Sequence, residues 1–138
     1  MIELTYEMRE RLATALTDGY PAVVAVTTAD GQPTMSYRGT VQVVGADRLG
    51  LWARNRDGAL LSSIAGHPLV EVLYRHAAER IMWRFQGRAR VEEDEAARTS
   101  IFDGSPQVER DRDPERAGAA VVIEVDRVFA RGELAMER

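Results

Sequence analysis

The sequence predicts a mainly β protein with a few short helices, and three observations support this class. Residues from Ile81 to Val91 alternate between apolar and polar, which is the period of a strand with one buried face. Asp30-Gly31 is a strong hairpin signal. Further apolar segments rich in β-branched residues are separated by turn residues at short intervals. Together these signals predict six strands without an internal repeat.

In the first half, apolar residues at three- and four-residue spacings predict an amphipathic helix over residues 4–16, ended by Asp18-Gly19. Turn residues then separate predicted strands over 22–28, 34–44 and 49–54. A short helix over 59–65 follows, and His67-Pro68 stops it.

In the second half, the pattern predicts strands over 69–74, 80–91 and 119–128. Gly87 interrupts the long middle strand, which predicts a bulge or a sharp bend. The acidic run Glu92–Glu95 is typical of the first turn of a helix, which should end near Asp103-Gly104. Residues 105–118 are polar and contain two prolines, so we expect a mobile excursion or a short helix there.

Composition limits the possible functions. A chain of 138 residues fits one domain over 1–138, and the absence of cysteine excludes thiol chemistry. A net charge of -4 argues against nucleic acid as a partner. The longest apolar run, Pro21–Val26, is far shorter than the roughly twenty residues that cross a bilayer, so no membrane association is expected. Acidic residues near the start are unlike a signal peptide, which predicts a cytoplasmic protein.

A candidate anion site lies where the strand ending at Arg54 meets the next helix. Arg54, Asn55 and Arg56 follow the strand directly, and Asp57 is positioned to cap the helix. Guanidinium groups beside the free N–H groups of a helix start suit a phosphate. The same pattern is also compatible with an ordinary solvated turn, because no glycine-rich phosphate loop accompanies it.

Other chemistry has less support in the sequence. The two histidines, His67 and His76, lack metal-ligand spacing, so we expect no metal site. Ser62-Ser63 has no nucleophile-elbow glycines, which argues against serine hydrolysis. Trp83 lies on the apolar face of its strand and is predicted to be a core residue, whereas Trp52 lies close to the candidate anion site.

The order of elements and several local motifs resemble a known family. Asp30-Gly31-Gln-Pro33, Leu51-Trp-Ala-Arg54, His67-Pro68-Leu-Val70 and Gln86-Gly-Arg-Ala-Arg-Val91 are similar to segments of the pyridoxamine 5'-phosphate oxidase-like flavin-binding split barrels. The resemblance covers nearly the whole chain. It implies a split β-barrel homodimer that holds FMN, or in some branches a deazaflavin or haem, in a groove between subunits.

The resemblance also implies which residues contact the cofactor. The matching positions are Arg38, Gly39, Thr40, Trp52, Ala53, Arg54, Asn55, Arg56, Leu60 and Leu61. Many members place a lysine or arginine at about the position of Leu60. Either Arg54 and Arg56 replace that cation, or the pocket has changed toward another ligand.

The resemblance implies an FMN-dependent oxidoreductase acting on a small molecule. Because the flavin supplies the redox chemistry, no acid–base dyad is needed and catalytic residues are left unassigned. The alternatives are a non-catalytic module that binds a flavin, deazaflavin or haem, and a barrel that has lost its cofactor. The polar, arginine-rich face Arg84, Gln86, Arg88 and Arg90 also predicts a homodimer with an isologous interface.

Overall fold

The computed structural model describes residues Met1–Arg138 and contains four helices and eight strands. The helices are α1 (Tyr6–Ala13), α2 (Ala59–Gly66), α3 (Glu95–Asp103) and α4 (Gln107–Arg110). The strands are β1 (Ala22–Thr27), β2 (Pro33–Arg38), β3 (Gln42–Gly45), β4 (Arg48–Ala53), β5 (Leu69–His76), β6 (Ile81–Glu92), β7 (Ala119–Ala130) and β8 (Glu133–Glu137). None of the helices is both long enough and apolar enough to cross a membrane.

All eight strands belong to one antiparallel sheet in the order β2-β1-β5-β6-β7-β4-β3, with β8 also paired to β7. The first half of β7 pairs with β4 and its second half pairs with β8. The two short strands therefore follow each other along the same side of β7. The Asp30-Gly31 hairpin is confirmed, because β1 and β2 pair on either side of it.

The sheet is open, and its two edge strands are consecutive in the chain. Only Gly39, Thr40 and Val41 connect β2 to β3, so the facing ends of these strands lie within about 14 Å of each other. The sheet must therefore curve until its edges approach, although no hydrogen-bonded ladder joins β2 to β3. The predicted mainly β class with short helices is confirmed.

The predicted number of six strands is wrong, for two physical reasons. The expected strand over 34–44 is divided at Gly39–Val41, where the chain leaves the ladder with β1 and joins β4. The second addition is β8, whose Glu-Leu-Ala-Met-Glu sequence has low strand propensity. It pairs because β4 covers only the first half of one edge of β7, while β6 occupies the other edge along the whole strand.

The alternation predicted for β6 is confirmed. Trp83, Phe85, Gly87 and Ala89 are buried, and the ladder with β7 shifts register between Gln86 and Gly87. A side chain at position 87 would place its Cβ 2.2 Å from the carbonyl oxygen of Glu124. Glycine at the bulge therefore allows β7 to approach β6 closely.

The core has an interior and an outer part. Inside the curved sheet, α1 contributes Met8 and Leu12, and α2 contributes Leu60 and Ile64. Trp83 belongs to this interior and stacks on Tyr74 at 5.3 Å between ring centroids, which confirms its predicted core role. A smaller cluster lies beneath α3; it consists of Trp52, Ile101, Phe102, Ala120 and Val122. Strands β4 and β7 are therefore covered on both faces.

The helix caps differ in part from the prediction. Asp94 caps α3 by accepting a hydrogen bond from the Ala97 N–H, so the acidic run has a structural role. Asp57 does not cap α2: the N-cap residue is Gly58, and no side chain bonds to the helix start. The amide side chain of Asn55 accepts the Asp57 N–H instead, which holds Asp57 in the preceding turn.

Candidate functional site

A cleft of about 620 Å³ opens at the end of β4. It lies beside the Gly39–Val41 connection from β2 to β3, which we call the crossover. Its lining includes many of the predicted cofactor-binding residues, namely Arg38, Gly39, Thr40, Trp52, Arg54 and Asn55. Leu16, Pro21 and Tyr37 form the apolar side, and Glu109, Arg112 and Asp113 contribute from the segment containing α4. The fold thus brings together residues from four separate stretches of the chain.

The other predicted site residues lie outside this cleft. Ala53 is fully buried and pairs with Ala119. The Nε of Arg56 donates a hydrogen bond to the Ala117 carbonyl at 2.8 Å. Leu60 is buried and lines a separate recess of about 100 Å³, to which Arg38 also contributes, and Leu61 lies partly buried against the core.

Thr40 fastens the crossover to β4. Its buried hydroxyl accepts a hydrogen bond from the Trp52 N–H at 2.8 Å and donates one to the Trp52 carbonyl at 3.2 Å. The side chain thereby replaces a strand-to-strand backbone pair at the point where β2 ends. Because both hydroxyl bonds are made within the protein, Thr40 positions the cleft wall.

Asp113 joins Trp52 to the Ala117–Gly118 backbone. Its Oδ2 accepts hydrogen bonds from Trp52 Nε1 at 2.8 Å and from the Gly118 N–H at 2.9 Å, and Oδ1 accepts the Ala117 N–H at 3.0 Å. Burial acts to raise the pKa of Asp113, but these hydrogen bonds and the charge of Arg54 lower the pKa below its usual value. The residue is therefore a buried carboxylate held in its charged form.

Trp52 forms a wall of the cleft. Its ring meets Phe102 edge-on at 5.1 Å between centroids, and the Arg98 guanidinium lies 5.1 Å from the ring centre. Only 5% of the residue is exposed. The indole is thus fixed by packing and by its bond to Asp113, and it does not present a free aromatic face.

The cleft contains three arginines, two of which share one carboxylate partner. Burial and the neighbouring charge of Arg54 both lower the pKa of Arg38, which forms no ion pair and donates through Nε to the Ser36 hydroxyl at 3.0 Å. Arg54 Nε lies 3.8 Å from Glu109 Oε2, and Arg112 Nη1 lies 3.9 Å from Glu109 Oε1. Arg38 and Arg54 are therefore two like charges held close together.

The contribution of residues 105–118 to the cleft was not predicted from the sequence. The structure forms α4 and an ordered loop there, and this places Glu109, Arg112 and Asp113 in the cleft. Ser105-Pro106 before helix-compatible residues was a usable signal for α4. No local pattern indicated that Asp113 would meet Trp52, because their contact spans 61 positions.

Neither histidine lines the cleft. His76 stacks on Tyr20 with ring centroids 4.0 Å apart, and its Nδ1 accepts the Glu79 N–H. No group of three or more histidine, cysteine or acidic side chains is arranged to hold a metal ion.

No protein-family model matches the sequence, and a search of curated proteins gives no match. Solved structures do match over nearly the whole chain. HupZ of Group A Streptococcus has 20% sequence identity and a TM-score of 0.72, with 100% of both chains covered. A protein of Lactobacillus delbrueckii described as a candidate pyridoxamine 5'-phosphate oxidase has 19% identity and a TM-score of 0.67, covering 92% of this chain and 93% of that one.

An FMN-binding protein of Syntrophomonas wolfei has 7% identity and a TM-score of 0.64, covering 96% of this chain and 89% of that one. At such identities the likeness concerns the fold. The resemblance found in the sequence is thereby confirmed: the chain has the fold of the pyridoxamine 5'-phosphate oxidase-like proteins.

Proposed function

We propose that this protein binds FMN in the cleft and, with FMN bound, transfers electrons to or from a small molecule. The observation that carries the proposal is the pair Arg38 and Arg54, two guanidinium groups that line the same cleft; burial, and after it the charge of Arg54, lowers the pKa of Arg38. An anion placed between two guanidinium groups relieves the repulsion between them and accepts charge-assisted hydrogen bonds. The FMN-binding protein of Syntrophomonas wolfei shares the fold and supports the choice of ligand.

The cleft fits a phosphorylated flavin in size and in its donor groups. Its volume of about 620 Å³ is typical of small-ligand pockets. The side chain of Arg54 makes no hydrogen bond within the protein, so its N–H groups are available. In addition, α2 begins without a side-chain cap, and Ala59 in its first turn lines the recess that Arg38 shares. The residues present are thus compatible with a phosphate at Arg38 and Arg54.

In this arrangement Arg38 and Arg54 hold the phosphate, while Thr40 and Asp113 position the wall formed by Trp52. FMN, when bound, supplies the redox chemistry. Leu60 is an uncharged side chain buried in the core, so it provides no cation for the phosphate. Arg56 is bonded to Ala117 outside the cleft, so we assign the second phosphate contact to Arg38.

We also propose that the protein is a homodimer with the cofactor in the groove between subunits. Met35, Tyr37 and Leu69 are exposed by 72%, 74% and 69% on the outer face of the sheet. Exposed apolar groups in such number commonly mark an interface. Tyr37 also lines the cleft, so a second copy on this face would cover its mouth.

The arginine-rich face of β6 supports the dimer less than expected. Arg84, Arg88 and Arg90 all have carboxylate partners in the same chain, for example Glu71 at 2.6 Å from Arg84 and Asp126 at 2.9 Å from Arg88. These charges are already compensated in a single chain. The dimer proposal therefore rests on the apolar residues of the neighbouring strands.

The test is the absorption spectrum of freshly purified protein, followed by a thermal unfolding titration with FMN. We expect flavin bands, or a rise in Tm when FMN is added, because a ligand that binds only the folded state stabilises it by about 2.7 kcal/mol at 100 times its Kd. A haem band would favour the haem-binding alternative. A spectrum without chromophore and no change in Tm at saturating FMN would reject flavin binding and favour a barrel that has lost its cofactor.

A further inference from the structure

We infer that Glu109 determines which anions the cleft accepts, by acting as an internal counter-charge that disfavours ligands of high negative charge. The inference rests on the proposed phosphate site and adds a selectivity to it. The residue comes from α4, a separate element from the strands that carry Arg38 and Arg54.

Glu109 lies inside the cleft, between two of its cations. One carboxylate oxygen is 3.8 Å from Arg54 Nε and the other is 3.9 Å from Arg112 Nη1. A Cβ at Gly39, on the crossover, would be 3.3 Å from the same carboxylate. The side chain therefore reaches across the cleft to the crossover.

These separations are too long for hydrogen bonds, so Glu109 attracts both arginines without occupying their N–H donors. Arg38 remains the cation of the cleft that lacks a carboxylate partner. The cleft can thus bind an anion through all three arginines, but the anion must share the space with a fixed negative charge.

The backbone of Glu109 is held in a helical turn, because its N–H donates to the Pro106 carbonyl at 2.9 Å and its carbonyl accepts the Arg112 N–H at 3.1 Å. The Glu109 side chain is only 17% exposed. The carboxylate is therefore mostly buried beside Arg54 and Arg112, and an anion that enters the cleft meets its negative charge.

Repulsion between Glu109 and a ligand grows with the charge of the ligand. A phosphate monoester can be held chiefly by Arg38, the arginine without a carboxylate partner, with Arg54 beside it. A di- or triphosphate brings more negative charge into the same volume and must approach Glu109. We therefore assign to Glu109 a preference for a single phosphate group over polyphosphates.

The test measures binding of inorganic phosphate and inorganic triphosphate by calorimetry at constant ionic strength, without flavin. Glu109→Gln removes the charge and keeps the shape of the side chain. We expect it to strengthen triphosphate binding by about tenfold, and phosphate binding by clearly less. Glu115→Gln is the matched control, because it makes the same change in net charge on an exposed residue of the same segment that does not line this cleft.

A second variant tests the counter-charge from the side of its cationic partner. Arg112→Gln should weaken triphosphate binding, and the double variant Glu109→Gln/Arg112→Gln should return it close to the parent value. The inference is overturned if Glu109→Gln and Glu115→Gln change the anion affinities equally, or if Glu109→Gln strengthens the binding of both anions equally. It is also overturned if no variant binds either anion. If Glu109→Gln changes the preference between the two anions as expected but the protein does not bind FMN, only the proposed function is rejected.

Discussion

At the scale of single residues, Asp113 links the stability of the cleft wall to pH. Because its pKa is lowered in the folded protein, its contribution is complete above the unfolded value of about 3.9 and is lost as the pH falls through the lower folded pKa. Asp113→Asn should reduce the free energy of unfolding at pH 7 by about 1–3 kcal/mol, since an amide cannot accept all three N–H groups. Urea unfolding at pH 7 and pH 3 measures both effects.

The same experiment on Asp57→Asn serves as the control, because Asp57 is exposed and its carboxylate makes no hydrogen bond or ion pair. This control should resemble the parent at both pH values. Equal stability of Asp113→Asn and the parent at pH 7 would contradict the structural role of Asp113.

The affinities for two flavins can distinguish the role of Arg38 and Arg54 in phosphate binding from that of Arg56. Arg38→Ala and Arg54→Ala should each weaken FMN binding by roughly 1.5–3 kcal/mol, which is about tenfold or more in Kd. Riboflavin lacks the phosphate and should bind parent and variants with similar affinity. Arg56→Ala is the control and should leave FMN affinity unchanged, because its guanidinium bonds to Ala117 outside the cleft. Fluorescence titration of both flavins measures these affinities, and parallel losses for FMN and riboflavin would indicate damage to the fold or ring pocket.

At the scale of elements, Gly87 controls how β6 meets β7. Gly87→Ala places a Cβ against the Glu124 backbone and should reduce the free energy of unfolding by about 3 kcal/mol. Gly66→Ala offers a matched control near the end of α2, where an added Cβ meets nothing within 4 Å, so this variant should be neutral or slightly more stable. Chemical denaturation of both variants tests the bulge, and a Gly87→Ala protein as stable as the parent would show that β7 can move away without cost.

At the scale of the whole molecule, the proposed dimer uses a row of side chains that crosses the outer face. Tyr37, Val23, Leu73, Arg84 and Phe129 are register partners on five neighbouring strands. Light scattering at micromolar concentration should give twice the 15.4 kDa of one chain. Tyr37→Glu should shift the mass toward the monomer, because the substitution places a charge in an apolar interface.

Tyr6→Glu is the matched control, because it makes the same substitution at a tyrosine of α1 that is 77% exposed and does not belong to the sheet. It should leave the mass unchanged. A parent protein with the mass of one chain would remove the dimer proposal, while the binding of FMN to a single chain would remain testable by titration.

Local patterns were sufficient for much of this fold. Period-two alternation placed β6 and its inward-facing Trp83, Asp30-Gly31 located the hairpin, and Gly87 marked the bulge, because each signal depends on residues that are neighbours in sequence. The same locality placed Arg54 directly after a strand. The motif resemblance, which covers nearly the whole chain, brought Arg38, Thr40 and Trp52 into one candidate site.

Tertiary structure alone decided the features that depend on distant residues. At the break between β2 and β3, Thr40 bonds to Trp52 on another strand, and β8 pairs with the part of one β7 edge that β4 does not cover. The position of Arg56 outside the cleft, and the entry of Glu109 and Asp113 into it, follow from contacts across tens of residues. A sequence pattern carries the preferences of each segment, but which charges share a cleft depends on how the curved sheet brings the segments together.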